Sequence, residues 1–194
     1  MGRSKAWLEY RGEYLLQRVV RLVSEVVRPV VVAAKVGQDL PPLPDSVTAV
    51  FDAVESAGPL AGIASGFDAL ASACEAAFVV ACDHPLLKPR FIARLIDLLE
   101  DYPAVVPLHE DRLHPTIALY RLDTRDILTE MLRTRSFRAT TFAKRCSPRL
   151  VRADDLADCD PDMESLRNLN DPETYDALTG EPARGRRGKP DVPQ

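Results

Sequence analysis

The sequence lacks the short motifs that would identify its chemistry at once. It contains no GxGxxG dinucleotide-binding motif, no GxxxxGK[ST] phosphate-binding loop and no HExxH zinc motif. No Ser-His-Asp order of a serine hydrolase is present. The four cysteines include no CxxC pair, and their spacing fits no zinc site. These absences argue against several large enzyme classes and indicate reduced, structural cysteines.

Long apolar runs and a strong charge of one sign are also missing. No run is long enough to span a bilayer, and the chain does not open with a signal-peptide pattern. The formal net charge is −4, which argues against a general binder of nucleic acid or membrane surfaces. We therefore expect a cytoplasmic protein that binds neither.

Apolar runs that alternate with helical patterns are what the sequence does contain. Its 194 residues suit one domain with an ample core. The first half predicts strands over Pro29–Ala34, Val47–Asp52 and Ala76–Asp83, each short and largely apolar, and helices over Tyr14–Val27, Gly58–Ala73 and from about residue 89. The strands over Pro29–Ala34 and Ala76–Asp83 have the composition of strands buried on both faces. This alternation predicts an α/β fold with a mostly parallel sheet.

The second half alternates less regularly. It predicts a strand pair over residues 104–108 and 116–122, helices over 123–134 and 138–145, a last strand over 149–153 and a short helix from Asp171 to Gly180. The final stretch has no apolar periodicity. We expect one domain over residues 1–178 and a disordered tail over 179–194.

Two aspartates follow predicted strands, where ligands bind in open α/β sheets. Asp83 could hold Mg²⁺, which takes one or two protein carboxylates together with substrate phosphates. It could equally be a turn or N-cap residue. Asp52 could accept hydrogen bonds from a sugar or a base. The glycines at 58, 62 and 66 permit close approach of a ligand or, more commonly, of a neighbouring element.

Further polar residues mark possible ligand contacts. The opening MGRSK, with Gly2 and Lys5, is the kind of small cationic cluster that contacts phosphate. His114 precedes a predicted strand and either faces a crevice or is structural. Asn168 and Asn170 flank a predicted helix start, where anions are favoured, although capping asparagines have the same pattern.

The order of these stretches resembles the MobA-type molybdenum cofactor guanylyltransferases. That family has a loop of the form LAGGxSxRMGxxK, a VVV-type strand, a D…GPLAG segment, a CD.P metal motif, a HPTIAL-like stretch and a C-terminal N.NTPEE. The corresponding stretches are MGRSKAWLEYRG, PVVVAAKVGQDLP, FDAVESAGPLAG, ACDHPLL, HPTIALYR and RNLNDPETY, from residue 1 to about 178.

The resemblance implies a single Rossmann-like nucleotidyltransferase domain with helices on both sheet faces. It implies transfer of GMP from GTP to molybdopterin or its molybdenum form, with Mg²⁺ and release of pyrophosphate. The implied sites are Lys5 and Asp83 for catalysis, Asp83 for the metal, Gly2, Lys5, Asp52, Gly58 and Asp83 for the nucleotide, and His114, Asn168 and Asn170 for the pterin. Transient contacts with cofactor-synthesis or molybdoenzyme-insertion proteins are implied as well.

The sequence departs from the family pattern at two places. Where the family's second strand often ends in asparagines, this chain reads AAKVGQ, which brings Lys35 to that position. The family's first strand and LAGGxSxR segment have no counterpart, so we expect that the natural start lies upstream of Met1. Alternatives are a related transferase with another base or acceptor, such as a molybdopterin cytidylyltransferase, or an inactive homologue that acts as a binding protein.

Overall fold

A computed structural model describes residues 4–52 and 58–169 of the chain. The strands are β1 (Glu9–Tyr10), β2 (Glu13–Tyr14), β3 (Val30–Ala34), β4 (Val47–Phe51), β5 (Ala76–Val80), β6 (Ala104–His109), β7 (Arg112–Leu113), β8 (Ile117–Arg121) and β9 (Arg149–Val151). The helices are α1 (Leu15–Ser24), α2 (Pro59–Leu70), α3 (Pro89–Asp97), α4 (Arg125–Arg133), α5 (Ala139–Arg145) and α6 (Ala153–Leu156). Three 3₁₀ turns cover Lys5–Trp7, Leu122–Thr124 and Glu164–Leu166.

The main sheet is mixed. β8 lies between β5 and β6 and runs antiparallel to both, while β9 pairs with β6 in parallel. β5, β6 and β9 therefore run in one direction and β8 runs against them. The predicted α/β fold is confirmed, as is the strand pair in its second half, which is the β6–β8 pair closed through the short β7.

Helices cover both faces of this sheet, as expected. Because side chains alternate along a strand, Val105 of β6 faces one side and Val106 the other. The core around Val105 is built with α1 and α3, and the core around Val106 with α2, α4 and α5. On the second face the rings of Tyr120 and Phe142 lie 5.0 Å apart, and both side chains are fully buried. The two apolar faces of β6 and β8 explain why these strands are near-continuous apolar runs.

A second, smaller sheet consists of β3 and β4, paired in parallel with Ala34 opposite Phe51. The prediction that β3 and β5 are buried on both faces is correct only in part. Val32 and Ala34 are the buried residues of β3, and Ala77 is the buried residue of β5. Within the described residues each of these strands has a pairing partner on one edge only, which leaves many of their side chains half-exposed.

A short hairpin between the first turn and α1 was not predicted. β1 and β2 pair through a two-residue turn, Arg11-Gly12, in which both residues have positive φ. Such turns match the twist of a hairpin. The hairpin is anchored by Tyr10, which is buried against Leu15 and Leu169 and has the guanidinium of Arg18 5.0 Å from its ring centroid.

Other expectations have simple outcomes. All four cysteines are free thiols, and burial raises the pKa of the half-buried Cys82 to about 11. Among the helices described, none is both long enough and apolar enough to cross a membrane. The predicted helix from Asp171 to Gly180 and the tail lie outside the described residues.

Candidate active site

The site begins where β5 ends. The strand stops at Val80, but the N–H of Ala81 still donates to Thr116 O at 3.0 Å, so the chain leaves the sheet in a fixed direction. Asp83 follows in a tight loop and is 8% exposed. A carboxylate at this depth needs compensating partners.

Lys5 is one such partner. Its Nζ lies 2.7 Å from Asp83 Oδ2, and its side chain is 35% exposed. The turn that carries it is anchored by the buried Ala6 and by Trp7, whose Nε1–H donates to Asp39 O at 3.0 Å. The first turn of the chain therefore presents an ammonium group to the carboxylate at the end of β5.

The second oxygen of Asp83 has a different environment. Oδ1 is buried and has no hydrogen-bond partner within the described part of the chain, and His84 Nε2 lies 3.8 Å from it. No group of three or more His, Cys, Asp or Glu able to hold a metal exists among those residues. A hard cation that takes one protein carboxylate and completes its shell with phosphate oxygens and water fits this donor set.

Asp52 and Lys35 form a second polar position at the ends of β4 and β3. The N–H of Asp52 donates to Ala34 O at 2.8 Å, which places the two side chains on adjacent strand ends. Burial raises the pKa of Asp52, and the Lys35 charge opposes that shift. Asp52 Oδ1 is buried without a hydrogen-bond donor from the described residues. This oxygen is therefore a free acceptor.

Helix α2 lies close to that acceptor. Gly58 precedes the helix with φ 60° and ψ −145°, a conformation that strains other residues. A Cβ at Gly62 would lie 3.5 Å from Asp52 Oδ1 and 3.4 Å from Ala33 Cβ. A methyl group at Gly62 would thus make ordinary contacts, so the approach of the helix does not require glycine there.

His84 adjoins the Asp83 carboxylate, and His114 lies near His84. His84 is 2% exposed, and its Nδ1 lies 3.0 Å from Ser165 O. A carbonyl oxygen only accepts, so Nδ1 carries the proton and Nε2 has the lone pair. Burial lowers the pKa of His84, while Asp83 raises it. Burial is the largest cause that lowers the pKa of the half-buried His114 to about 4. Both rings are therefore neutral at pH 7.

The C-terminal segment reaches the same place. The N–H of Leu169 donates to Asp83 O at 2.9 Å, and Leu169 is fully buried. Asn168, half-buried, is thereby held beside the loop that carries Asp83. The structure thus brings Lys5, Asp83, His114 and Asn168 into one region, and it sets Asp52 and Gly58 at the ends of β4 and α2. Gly2 and Asn170 lie outside the described residues.

Sequence reasoning missed the residues that hold this region together. The N-cap of α3 is Lys88, so Asp83 does not cap that helix and lies in the turn after β5. Lys88 Nζ lies 2.7 Å from Asp160 Oδ1, and the hydroxyl of Ser165 accepts from the N–H of Lys88 at 3.1 Å. Asp160 is fully buried although it stands in the polar stretch ADCDPDM. No sequence signal distinguishes it from the exposed carboxylates beside it.

The chain is similar in sequence to named proteins. A protein of Pelotomaculum thermopropionicum named "Probable molybdenum cofactor guanylyltransferase" is 32% identical over 146 residues, covering 73% of this chain and 67% of that protein. A Clostridium perfringens protein of the same name is 28% identical over 131 residues, and the match spans 67% of this chain but only 63% of that relative's length.

A solved structure and a family model complete the comparison. The crystal structure of molybdopterin-guanine dinucleotide biosynthesis protein A from Archaeoglobus fulgidus matches with a TM-score of 0.74 over 92% of this chain and 90% of that chain. At 19% identity this likeness shows the shared fold. The model of the MobA-like NTP transferase domain matches residues 1–148, most of the chain, and the protein therefore belongs to that nucleotidyltransferase family.

Proposed function

We propose that this protein transfers GMP from GTP to the terminal phosphate of molybdopterin or its molybdenum form, which yields the guanine dinucleotide cofactor and pyrophosphate. The observation that carries the proposal is the Lys5–Asp83 pair, with Nζ 2.7 Å from Oδ2 and with Oδ1 left free. The family and the names of the relatives support the choice of reaction.

The reaction joins two anions, so charge must be neutralised where they meet. A terminal phosphate oxygen of the pterin attacks the α-phosphorus of GTP, a new P–O bond forms, and the bond to the β-phosphate breaks as pyrophosphate leaves. Mg²⁺, when bound, supplies positive charge to the phosphate oxygens. Asp83 would hold that cation through its carboxylate, and the Lys5 ammonium would bind phosphate oxygens. Catalysis then rests on positioning and charge, with no protein nucleophile.

Guanine is read at the other polar position in this proposal. The free, buried Oδ1 of Asp52 accepts hydrogen bonds from the base N–H groups. A buried acceptor discriminates strongly, since a base without a matching donor leaves it unpaired. Gly58 lets the start of α2 approach the nucleotide, and Gly2 belongs to the loop around the phosphates.

We assign the pterin to the side of His114 and Asn168, and the family resemblance adds Asn170. A neutral His114 can donate or accept a hydrogen bond without adding charge beside the phosphates. We also propose a cytoplasmic location and transient contacts with cofactor-synthesis or molybdoenzyme-insertion proteins, because a finished cofactor must pass to the enzymes that use it.

The test is turnover of the 194-residue chain with molybdopterin, Mg²⁺ and each of GTP, CTP and ATP, followed by pyrophosphate release and by mass of the dinucleotide product. We expect GTP to be preferred, and Asp52→Asn to reduce the preference for GTP over CTP. The matched control is Asp45→Asn, which makes the same change at an exposed position before β4. Equal or better use of CTP would reject the guanine assignment. Absence of pyrophosphate with every nucleotide would favour a binding protein.

A further inference from the structure

Asp160 is the most deeply buried carboxylate described, with no exposed surface. Its Oδ1 accepts from the N–H of Glu164 at 3.1 Å, and its Oδ2 accepts from the N–H of Ser165 at 2.8 Å. Burial raises the pKa of Asp160, but the hydrogen bonds from Lys88 and Ser165 outweigh it and hold that pKa below 3.8. The carboxylate is therefore charged at pH 7 and fixes the turn around residues 160–165.

Lys88 supplies the positive charge that pairs with Asp160. Its Nζ lies 2.7 Å from Asp160 Oδ1 and 2.9 Å from Glu164 Oε2. Its N–H donates to the hydroxyl of the fully buried Ser165 at 3.1 Å. Since Lys88 immediately precedes α3, the ion pair ties the 160–165 turn to the start of that helix. We call Lys88 and Asp160 the clasp.

Two further hydrogen bonds carry the connection toward the site. The Nδ1–H of His84 donates to Ser165 O, and the N–H of Leu169 donates to Asp83 O. The loop from Asp83 to Lys88 and the segment from Asp160 to Leu169 are thus joined at both ends. The first of these segments carries the proposed metal ligand, and the second carries Asn168 on the proposed pterin side.

We propose that Lys88 and Asp160 are positioning residues, which set the distance between the nucleotide side at Asp83 and the acceptor side at Asn168. In this proposal both residues act through the segments that they join and not through a contact with substrate. Attack at phosphorus requires an in-line approach, so a shift of the acceptor segment lowers the rate without removing any reacting group. This inference deepens the proposed function and rests on it for its kinetic consequence, but not for its structural one.

Asp160→Asn is the sharpest disruption. Both carboxylate oxygens accept from N–H donors, so the amide nitrogen that replaces one of them points a donor at a donor. The matched control is Asp158→Asn, two residues away, whose side chain is 69% exposed and whose contact, with Arg94 at 4.0 Å, does not reach the loop from Asp83 to Lys88.

The first readout is amide hydrogen exchange at pH 7, which needs no activity. We expect Asp160→Asn to speed exchange of the Lys88 and Leu169 amides about tenfold or more relative to the wild type, because both bonds depend on the clasp. Amides of β6 and β8 should keep their wild-type rates, as should all of these positions in Asp158→Asn. Unchanged exchange at Lys88 and Leu169 would overturn the proposal.

The second readout is how the kinetic loss divides between the molybdopterin acceptor and Mg-GTP. We expect kcat/KM for the molybdopterin acceptor to fall by about tenfold to a hundredfold, with KM for Mg-GTP changed less than about threefold. Lys88→Arg should retain most of the activity, since it keeps the charge and donors. If kcat/KM fell equally for both substrates and in proportion to the loss of stability, the clasp would have only a structural role, and the proposal would be overturned.

A second variant guards against misfolding. Asp160→Asn leaves the Lys88 ammonium with Glu164 alone. The double change Lys88→Met, Asp160→Asn removes both charges of the clasp and should fold at least as well as Asp160→Asn. It should still show fast exchange of the Leu169 amide. If no variant and no wild-type protein turns over, the proposed function fails, and the exchange data still decide the clasp.

Discussion

Two regions of the molecule have similarly apolar sequences but differ in burial and in role. β6 and β8 are apolar and lie in the middle of the main sheet, where their first four residues are all buried. β4 is equally apolar, yet none of its residues is buried. The first pair forms the framework on which both helical layers pack. The β3–β4 pair and the loop after β5 carry the candidate ligands. Stability and activity therefore depend on different residues, and substitutions should separate them.

The largest expected effect is on activity alone. Asp83→Ala removes the free Oδ1 and the partner of Lys5, so kcat/KM should fall by about a thousandfold in the pyrophosphate assay. The melting temperature should change little, because Lys5 is only partly buried. Asp101→Ala, an exposed carboxylate on the framework side, is the control and should behave as the wild type. Near-normal turnover by Asp83→Ala would contradict the site assignment.

The next effect is on stability alone. Phe142→Ala opens a cavity against Tyr120 in the framework and should lower the free energy of unfolding by about 3–5 kcal/mol in urea titrations. Phe51→Ala removes the same ring from β4, where it is 51% exposed, and should cost less than about 0.5 kcal/mol. Similar losses for both would show that the β3–β4 pair is packed as tightly as the framework.

Two glycines of α2 give a smaller, opposed pair of effects. Gly58→Ala forces a side chain into a positive-φ conformation and should destabilise the protein by about 1–2 kcal/mol. Gly62→Ala places its Cβ at ordinary contact distances within a helix, so it should be neutral or stabilising by about 0.5 kcal/mol. Thermal unfolding measures both. A larger loss at Gly62 than at Gly58 would contradict the packing described for Asp52.

The smallest effect is a pH dependence in the segment that links the two regions. The pKa of Asp160 is held below 3.8, so its contribution to stability is complete above that pH and is lost as the pH falls through the lower folded-state value. The difference in unfolding free energy between wild type and Asp160→Asn should therefore shrink below pH 3.8. A difference that stays constant over that range would show that the carboxylate charge is not what stabilises the turn.

Much of the framework could be predicted from sequence, because apolar periodicity reports burial directly. The sequence predicts the β6–β8 pair and the helices α4 and α5 within a few residues. The exposure of β4 and the half-burial of β5 could not be predicted, because composition does not reveal which strand edges find partners. The sequence identifies Asp83 as a candidate ligand because it follows an apolar strand. It does not identify Asp160 as a buried carboxylate, because that burial depends on Lys88, which is 72 residues distant in sequence.

The hydrogen bond from Leu169 to the main chain of Asp83 has a consequence for anyone who redesigns this protein. Under the proposed function, a change in the acceptor segment therefore also acts on the loop of the proposed metal ligand. A chimaera that takes residues 160–169 from a relative without an acidic residue at position 160 would leave Lys88 without the buried carboxylate that it pairs with here. A redesign of acceptor choice would have to preserve that pair or replace both of its members.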